Sequence, residues 1–156
     1  MILYQNSLIH FGLESKALAL ERKNINQLVM THYERIGGEQ NVRTLVDRFY
    51  DLMDTLPEAQ HIRDFHQQDL TRTRQLLFEF LSGWFGGPPL YVRKHGNLSL
   101  SQSHFLIPIG IKERDQWLLC MYQAMQDVGI DKDLQQELRP AFFKIADNLR
   151  NEPIQS

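Results

Sequence analysis

The sequence predicts an all-α protein, and three features of its pattern support that class. Apolar residues recur at steps of three and four in residues 42–53, 70–85 and 112–128, which lines one face of a helix in each segment. Glycine and proline pairs stand at the ends of these segments, at Gly37-Gly38 and again in residues 86–89. No segment shows the sustained alternation that is typical of a half-buried strand.

The first two strong helices are predicted on either side of a corner. The first follows Gly37-Gly38, and the second covers Leu70 to Phe85 before the Gly-Gly-Pro-Pro run ends it. Pro57 and the polar residues around His66 predict the corner between them. The apolar stripes of these two helices consist of Val42, Leu45, Val46, Phe49, Tyr50 and Met53, and of Leu77, Phe80, Leu81 and Trp84.

The second half of the chain begins with an irregular stretch and ends with two helices. Residues 90–110 show no sustained period and contain glycine, asparagine, serines and a proline. The helical period returns from Lys112 to Val128, and Gly129 closes that helix. A last helix is predicted to about Arg150, with Pro140 either kinking it or marking its first turn.

The chain length predicts one domain with an extension in front of it. A chain of 156 residues is long enough to bury a core. We assign residues 31–152 to the domain, residues 153–156 to a tail, and residues 1–30 to an N-terminal extension. A weak helical pattern occurs in the extension around Glu14 to Met30.

The composition excludes several classes of protein. The net charge is −2 and no basic stripe suggests nucleic-acid binding. The longest uncharged run, His95 to Ile111, contains Gly, Ser, Asn and Pro and is no membrane span. The single Cys120 excludes a disulfide framework, a multi-thiolate metal site and haem attached through a Cys-x-x-Cys-His motif. Because no secretory signal is recognisable, we expect a cytoplasmic protein.

The candidate chemistry lies in histidines and in two aromatic residues on apolar stripes. Six histidines are present without any tight metal-ligand cluster, and neither a serine-hydrolase elbow nor a phosphate loop occurs. Tyr50 and Trp117 need partners for their O–H and N–H groups when they are buried. They are either core residues whose polar tips are satisfied, or two donors that meet at a small anionic ligand.

Three segments together resemble the group II truncated haemoglobins. They are YERIGGEQNVRTLVDRFYDLMD (33–54), FLSGWFGGPPLYVRKHG (80–96) and SHFLIPIGIKERDQWLLCM (103–121). The likeness extends from near His32 to near Pro153 and leaves the N-terminal 30 residues outside. It implies a two-over-two helical sandwich, a shortened globin fold, that holds haem b (iron protoporphyrin IX) between its helices.

The resemblance also implies roles for individual residues. His104 matches the proximal histidine, the axial ligand of the iron. Tyr50, His66 and Trp117 match distal positions that hydrogen-bond to the bound ligand. Ser103 departs from the family, because an arginine that pairs with a haem propionate is common there, and Tyr91, Arg93 or His95 could compensate. The expected haem contacts are Thr73, Leu77, Phe80, Leu81, Trp84, Tyr91, Arg93, His95, Phe105 and Ile107.

The implied function is binding of oxygen and of carbon monoxide, nitric oxide or sulfide. Strong distal hydrogen bonds would slow the escape of the ligand, which favours nitric oxide or peroxide detoxification over rapid oxygen transport. Turnover would need an external reductase, so an enzymatic activity is left open. The alternatives are a gas sensor or interaction module that acts through residues 1–30, which also makes a homodimer possible, and a helical domain that has lost haem.

Overall fold

Helices are the only regular elements in the part of the chain that this computed structural model describes, namely residues 2–97 and 99–153. Side chains are described for residues 15–26, 28–97 and 99–153. The predicted all-α class is therefore confirmed. The chain divides into two units, the first ending at Thr31 and the second beginning at His32.

The first unit consists of helix α1, Ile2–Val29, which is longer than the predicted segment. Several large apolar side chains on α1 are exposed, including Leu18, Ile25 and Leu28. None of the helices in the described residues is both long and apolar enough to cross a membrane.

The second unit opens with a short helix and a long one separated by two glycines. Helix α2 is His32–Ile36 and helix α3 is Glu39–Thr55. Gly37 and Gly38 between them have φ of 104° and 80°, which favours glycine at both positions. The apolar stripe predicted for α3 is buried throughout.

The predicted corner contains a 3-10 helix, Pro57–Ala59, and helix α4, Gln60–Arg63. Helix α5 follows as Thr71–Trp84 and ends at the glycine-proline run. There the Tyr33 N–H donates to the Phe85 carbonyl at 2.8 Å. The Tyr33 ring lies so close to Gly87 that no Cβ fits at this position. Glycine at residue 87 therefore allows α2 to pack against the end of α5.

The stretch predicted as irregular contains two short helices, α6 (Leu90–His95) and α7 (Leu100–His104). Helices α8 (Ile111–Asp127) and α9 (Lys132–Asn148) complete the unit. The Asp131 carboxylate caps α9 by accepting from the N–H groups of Asp133 and Leu134. Pro140 thus lies inside α9 and does not mark its first turn.

The long helices pack as α3 with α5 and α8, and as α8 with α9. Aromatic contacts join α5 to α9, because the ring centroids of Trp84 and Phe142 are 4.7 Å apart. Fully buried apolar side chains between these helices each contribute roughly 1.5–3 kcal/mol. They include Val42, Leu45, Met53, Met121, Met125, Leu134 and Leu138.

A buried carboxylate fastens the short helix α6 to α5. Glu79 is 2% exposed and accepts hydrogen bonds from Lys94 at 2.6 Å, His95 at 2.8 Å and Gln75 at 2.8 Å. Burial raises the pKa of Glu79, but these hydrogen bonds more than offset it and lower the pKa to about 2. The carboxylate is therefore ionised and holds α6 in place near neutral pH.

Candidate functional site

A cavity of about 370 Å³ lies within the second unit, with a wall formed by α3 to α9 and their connections. Apolar side chains provide most of this wall, and a few polar groups interrupt it. The structure brings together nine of the residues that the resemblance singled out. They are Tyr50, His66, Thr73, Leu77, Phe80, Tyr91, His104, Ile107 and Trp117.

His104 is the last residue of α7, and its half-buried ring faces the cavity. Its Nδ1 lies 2.8 Å from the Leu100 carbonyl oxygen. A carbonyl only accepts, so Nδ1 must hold the proton, and the neutral ring presents an unprotonated Nε2. An imidazole fixed in this tautomer is ready to bind a metal through Nε2.

The segment after His104 is tied to the end of the chain by Asn151. The Asn151 amide nitrogen donates to the carbonyls of His104 at 3.4 Å and Ile107 at 2.8 Å. The Ile109 N–H donates to the Asn151 side-chain oxygen at 2.8 Å. The loop that follows His104 is thereby held by a residue that lies after α9.

Tyr50 on α3 and Trp117 on α8 present two hydrogen-bond donors to the cavity. Both rings pack against Phe49, with centroid distances of 4.9 Å and 5.2 Å. Neither the Tyr50 hydroxyl nor the Trp117 indole N–H bonds to another residue in the described part of the chain. Burial raises the pKa of Tyr50, although the Arg74 charge opposes this effect, so its hydroxyl stays protonated. Donors that face a cavity and have no protein partner suit a polar ligand there.

His66 follows α4 and faces the same cavity, with its ring centroid 5.9 Å from that of Tyr50. Its Nδ1 lies 2.8 Å from the Ile62 carbonyl oxygen and therefore holds the proton of the neutral ring. Burial lowers the pKa of His66, and the nearby charges of Arg63 and His104 lower it further, against the Ile62 hydrogen bond. In the neutral ring Nε2 is an acceptor, so donation from Nε2 requires a second proton.

Comparison with known proteins decides the family. The family model for bacterial-like globins matches residues 31–151. The group 2 truncated hemoglobin of Bacillus subtilis is 37% identical over 106 residues, which are 68% of this chain and 77% of that protein. The chain belongs to the bacterial-like globins, as a group II truncated haemoglobin.

Solved structures of group II proteins share the fold of this globin. The group II 2-on-2 haemoglobin of Agrobacterium tumefaciens is 42% identical, covers 80% of this chain and 97% of its own, and has a TM-score of 0.77. The truncated oxygen-avid haemoglobin of Bacillus subtilis is 34% identical, covers 78% of this chain and 100% of its own, and has a TM-score of 0.72. The predicted two-over-two globin fold is confirmed.

The globin family supports haem binding and the binding of oxygen or a similar ligand, and the cavity of this globin fits both. In the described residues, no group of three or more His, Cys, Asp or Glu side chains could hold a metal ion. A metal bound to one imidazole must bring its remaining ligands with it, as iron does in a porphyrin. The free Nε2 of His104, the apolar wall and the unpartnered donors of Tyr50 and Trp117 suit such a group.

The structure does not place the other five predicted haem contacts in the cavity wall. Leu81 is fully buried in the helix core, and Trp84 packs between Phe80 and Phe142. Phe105 is 72% exposed. Arg93 is also exposed, and His95 pairs with Glu79. These two therefore contribute to α6 and its surface, whereas Tyr91 of the same helix reaches the cavity.

Two charged residues in the wall were missed by sequence reasoning. Glu113 and Arg114 lie in the first turn of α8, and both are half-buried and line the cavity. Arg114 pairs with Asp147 at 2.7 Å. The spacing of Glu113, four residues before Trp117, was the available signal, because it places the two side chains on one helix face.

Proposed function

We propose that this globin holds haem b and uses it to bind oxygen tightly, for redox detoxification of nitric oxide or peroxide rather than for rapid oxygen transport. The observation that supports this most is that Tyr50 and Trp117 line one cavity with His104, while neither the Tyr50 hydroxyl nor the Trp117 indole N–H bonds to another described residue. Haem b is proposed because Cys120 is the only cysteine and is fully buried, so no thiol pair is available for covalent attachment.

Each polar residue of the cavity has a separate task in this proposal. His104 binds the iron through Nε2, while the Leu100 carbonyl orients the ring and increases its basicity. Tyr50 and Trp117 donate to a ligand atom that gains negative charge. His66 accepts a proton at Nε2 and returns it. When bound, haem supplies an iron that takes up diatomic ligands and changes its oxidation state.

The strength of the hydrogen bonds from Tyr50 and Trp117 determines how fast the ligand leaves, and slow release argues against rapid oxygen transport. Hydrogen bonds to charged groups contribute roughly 1.5–3 kcal/mol each. Two of them slow ligand escape by roughly a hundredfold or more, since 1.4 kcal/mol is a factor of ten. The apolar wall strengthens the effect, because it excludes water that would compete for the ligand. The oxygen-avid relative from Bacillus subtilis supports this expectation.

Oxygen dissociation measured by stopped flow tests the proposal. Tyr50→Phe and Trp117→Phe are each expected to speed dissociation roughly tenfold or more, as expected for loss of one charge-assisted hydrogen bond. Tyr122→Phe is the matched control, because its hydroxyl donates to the Arg139 carbonyl and it does not line the cavity. Unchanged dissociation in both cavity variants would refute the ligand-holding role.

The proposed chemistry requires electrons from outside the chain. Nitric oxide, oxygen and one electron combine to nitrate, and peroxide takes up two electrons and two protons to give two waters. We therefore propose an external reductase as a partner, in the reducing cytoplasm that the single cysteine suggested. Nitric oxide consumption should continue over many turnovers with a reductant present and stop after one without it. Consumption that never exceeds one equivalent would favour binding without turnover.

A second candidate function is sensing or interaction through the N-terminal extension, including a homodimer. The exposed apolar side chains of α1, such as Leu18, Ile25 and Leu28, favour it. Removal of residues 1–30 should then reduce the assembly size measured by light scattering without changing oxygen dissociation. An unchanged assembly size would exclude this role.

A further inference from the structure

Glu113 joins the cavity to a histidine outside it. The Glu113 side chain is 16% exposed and belongs to the cavity wall, one helical turn before Trp117. Its Oε1 lies 2.6 Å from Nε2 of His61 on α4. His61 is not part of the wall, and its side chain is 40% exposed. A path therefore leads from solvent through the His61 imidazole and the Glu113 carboxylate to the cavity.

The other oxygen of Glu113 is fixed by the backbone. The Gly110 N–H donates to Oε2 at 2.8 Å, which caps α8 and fixes the direction of the carboxylate. Burial raises the pKa of Glu113, but the backbone N–H groups of Gly110 and Glu113 and the neighbouring His61 more than offset it and lower the pKa. The carboxylate is thus ionised near neutral pH, and each oxygen keeps a second lone pair that can accept a proton.

We propose that His61 and Glu113 form a proton relay between solvent and the ligand cavity. Glu113 takes a proton from an incoming acidic ligand. When the His61 ring carries its own proton on Nδ1, its Nε2 accepts the proton from Glu113 and Nδ1 releases a proton to water; the reverse sequence delivers a proton. Imidazole and carboxylate groups exchange protons readily across a short hydrogen bond. The relay acts on any ligand whose proton content changes on binding, so it goes beyond the proposed detoxification.

In the part of the chain that the structure describes, the charged groups around His61 and Glu113 are paired elsewhere or make no contact with them, so His66 is left as the one other base that could exchange a proton with a ligand in the cavity. Arg114, beside Glu113, is paired with Asp147 from α9 and with Asp115. Arg63, on the same helix as His61, pairs with Asp54. The 3-10 helix before α4 contributes the exposed carboxylate Glu58, for which no contact with the relay is found in the described residues.

His66 is that other base, because its unprotonated Nε2 also accepts a proton within the cavity. Any remaining proton transfer in relay variants is assigned to it. Loss of the relay should therefore reduce proton-coupled binding without abolishing it.

A comparison of cyanide with carbon monoxide distinguishes an effect on proton transfer from an effect on ligand entry into the cavity. Hydrogen cyanide enters protonated and binds ferric haem as the anion, so the H–C bond breaks, the electron pair stays on carbon and a base must take the proton. Carbon monoxide binds ferrous haem without any proton change. Stopped-flow association rates of both ligands are measured from pH 5 to 9 in the haem-loaded full chain.

His61→Gln and Glu113→Gln are expected to slow cyanide association about tenfold, the low end of general-base effects because His66 remains. Carbon monoxide association should stay within about twofold of wild type. Glutamine at residue 113 keeps an oxygen for the Gly110 N–H. The matched control is His32→Gln, which alters a His–Glu pair outside the wall, with Nε2 of His32 at 3.3 Å from Glu137.

The relay is overturned if cyanide association is unchanged in both variants, or if cyanide and carbon monoxide slow equally, which would indicate a distorted cavity. Failure of the proposed function looks different, because the wild-type protein would then release oxygen rapidly while cyanide association still differed between the wild type and the relay variants.

Discussion

Replacing Glu79 by glutamine should remove much of the acid sensitivity of the fold. In the folded protein, hydrogen bonds from Lys94, Gln75 and His95 lower the pKa of Glu79 to about 2, against an ordinary value of 4.5. A depressed folded-state pKa stabilises the protein above the unfolded-state value. This contribution is complete above about pH 5 and is lost as pH falls through 4.5 towards 2.

The magnitude follows from the difference between the two pKa values. From 4.5 to about 2 is about 2.5 pH units, and at 1.36 kcal/mol per unit this sets a ceiling of about 3 kcal/mol. Lys94 is 54% exposed, so solvent screens its charge and the effect is reduced. We therefore expect about 2 kcal/mol of the free energy of unfolding to be lost in acid by the wild type but not by Glu79→Gln.

Urea unfolding at half-unit steps from pH 2 to 6, followed by far-UV circular dichroism, measures this difference. The Soret band is recorded separately, so that loss of haem is not counted as unfolding. Glu137→Gln is the matched control, because that carboxylate pairs with Arg35 but is 48% exposed, and we expect less than about 1 kcal/mol there. Parallel pH profiles of wild type and Glu79→Gln would refute a buried, ionised Glu79.

Two further predictions concern Gly87 and His66. Gly87→Ala should destabilise the fold by about 1–3 kcal/mol, because the new Cβ meets the Tyr33 ring; thermal unfolding should show a larger loss than in Gly129→Ala, where only a φ of +74° opposes the substitution. Oxygen dissociation should slow as pH falls well below 6.5, because the lowered pKa of His66 delays the second proton that turns its Nε2 into a donor. The His66→Leu variant should show no such slowing, and an identical pH profile in wild type and variant would contradict the assignment of the tautomer.

The fold class and the helix positions of Tyr50 and Trp117 could be predicted because each depends on a long pattern, whereas His104 and His66 were singled out only by the family resemblance. The stripe in α3, from Val42 to Met53, spans about three helical turns and places Tyr50 on the buried face, and the same reasoning places Trp117 on α8. Periodicity does not resolve helices of five or six residues, so α6 and α7 were expected to be irregular.

The remaining features depend on tertiary packing. Phe80 and Leu81 are neighbours on one apolar stripe, yet only Phe80 reaches the cavity, and a difference of 100° around the helix is too fine for a stripe to resolve. Glu79 and Glu113 look like solvated charges until their partners from α6 and α4 are in place. The tautomer of His66 depends on the Ile62 carbonyl, whose direction no sequence pattern gives.

Asn151, which follows α9, stabilises a segment of the cavity wall. Its side chain holds the strap of backbone between His104 and Ile109 by three hydrogen bonds. A protease that cut the chain just after Arg150 would remove these three hydrogen bonds and loosen the segment that follows His104, while the described helices stay whole. A change to the chain after α9 therefore reaches the wall of the cavity, although the altered residue lies outside that wall.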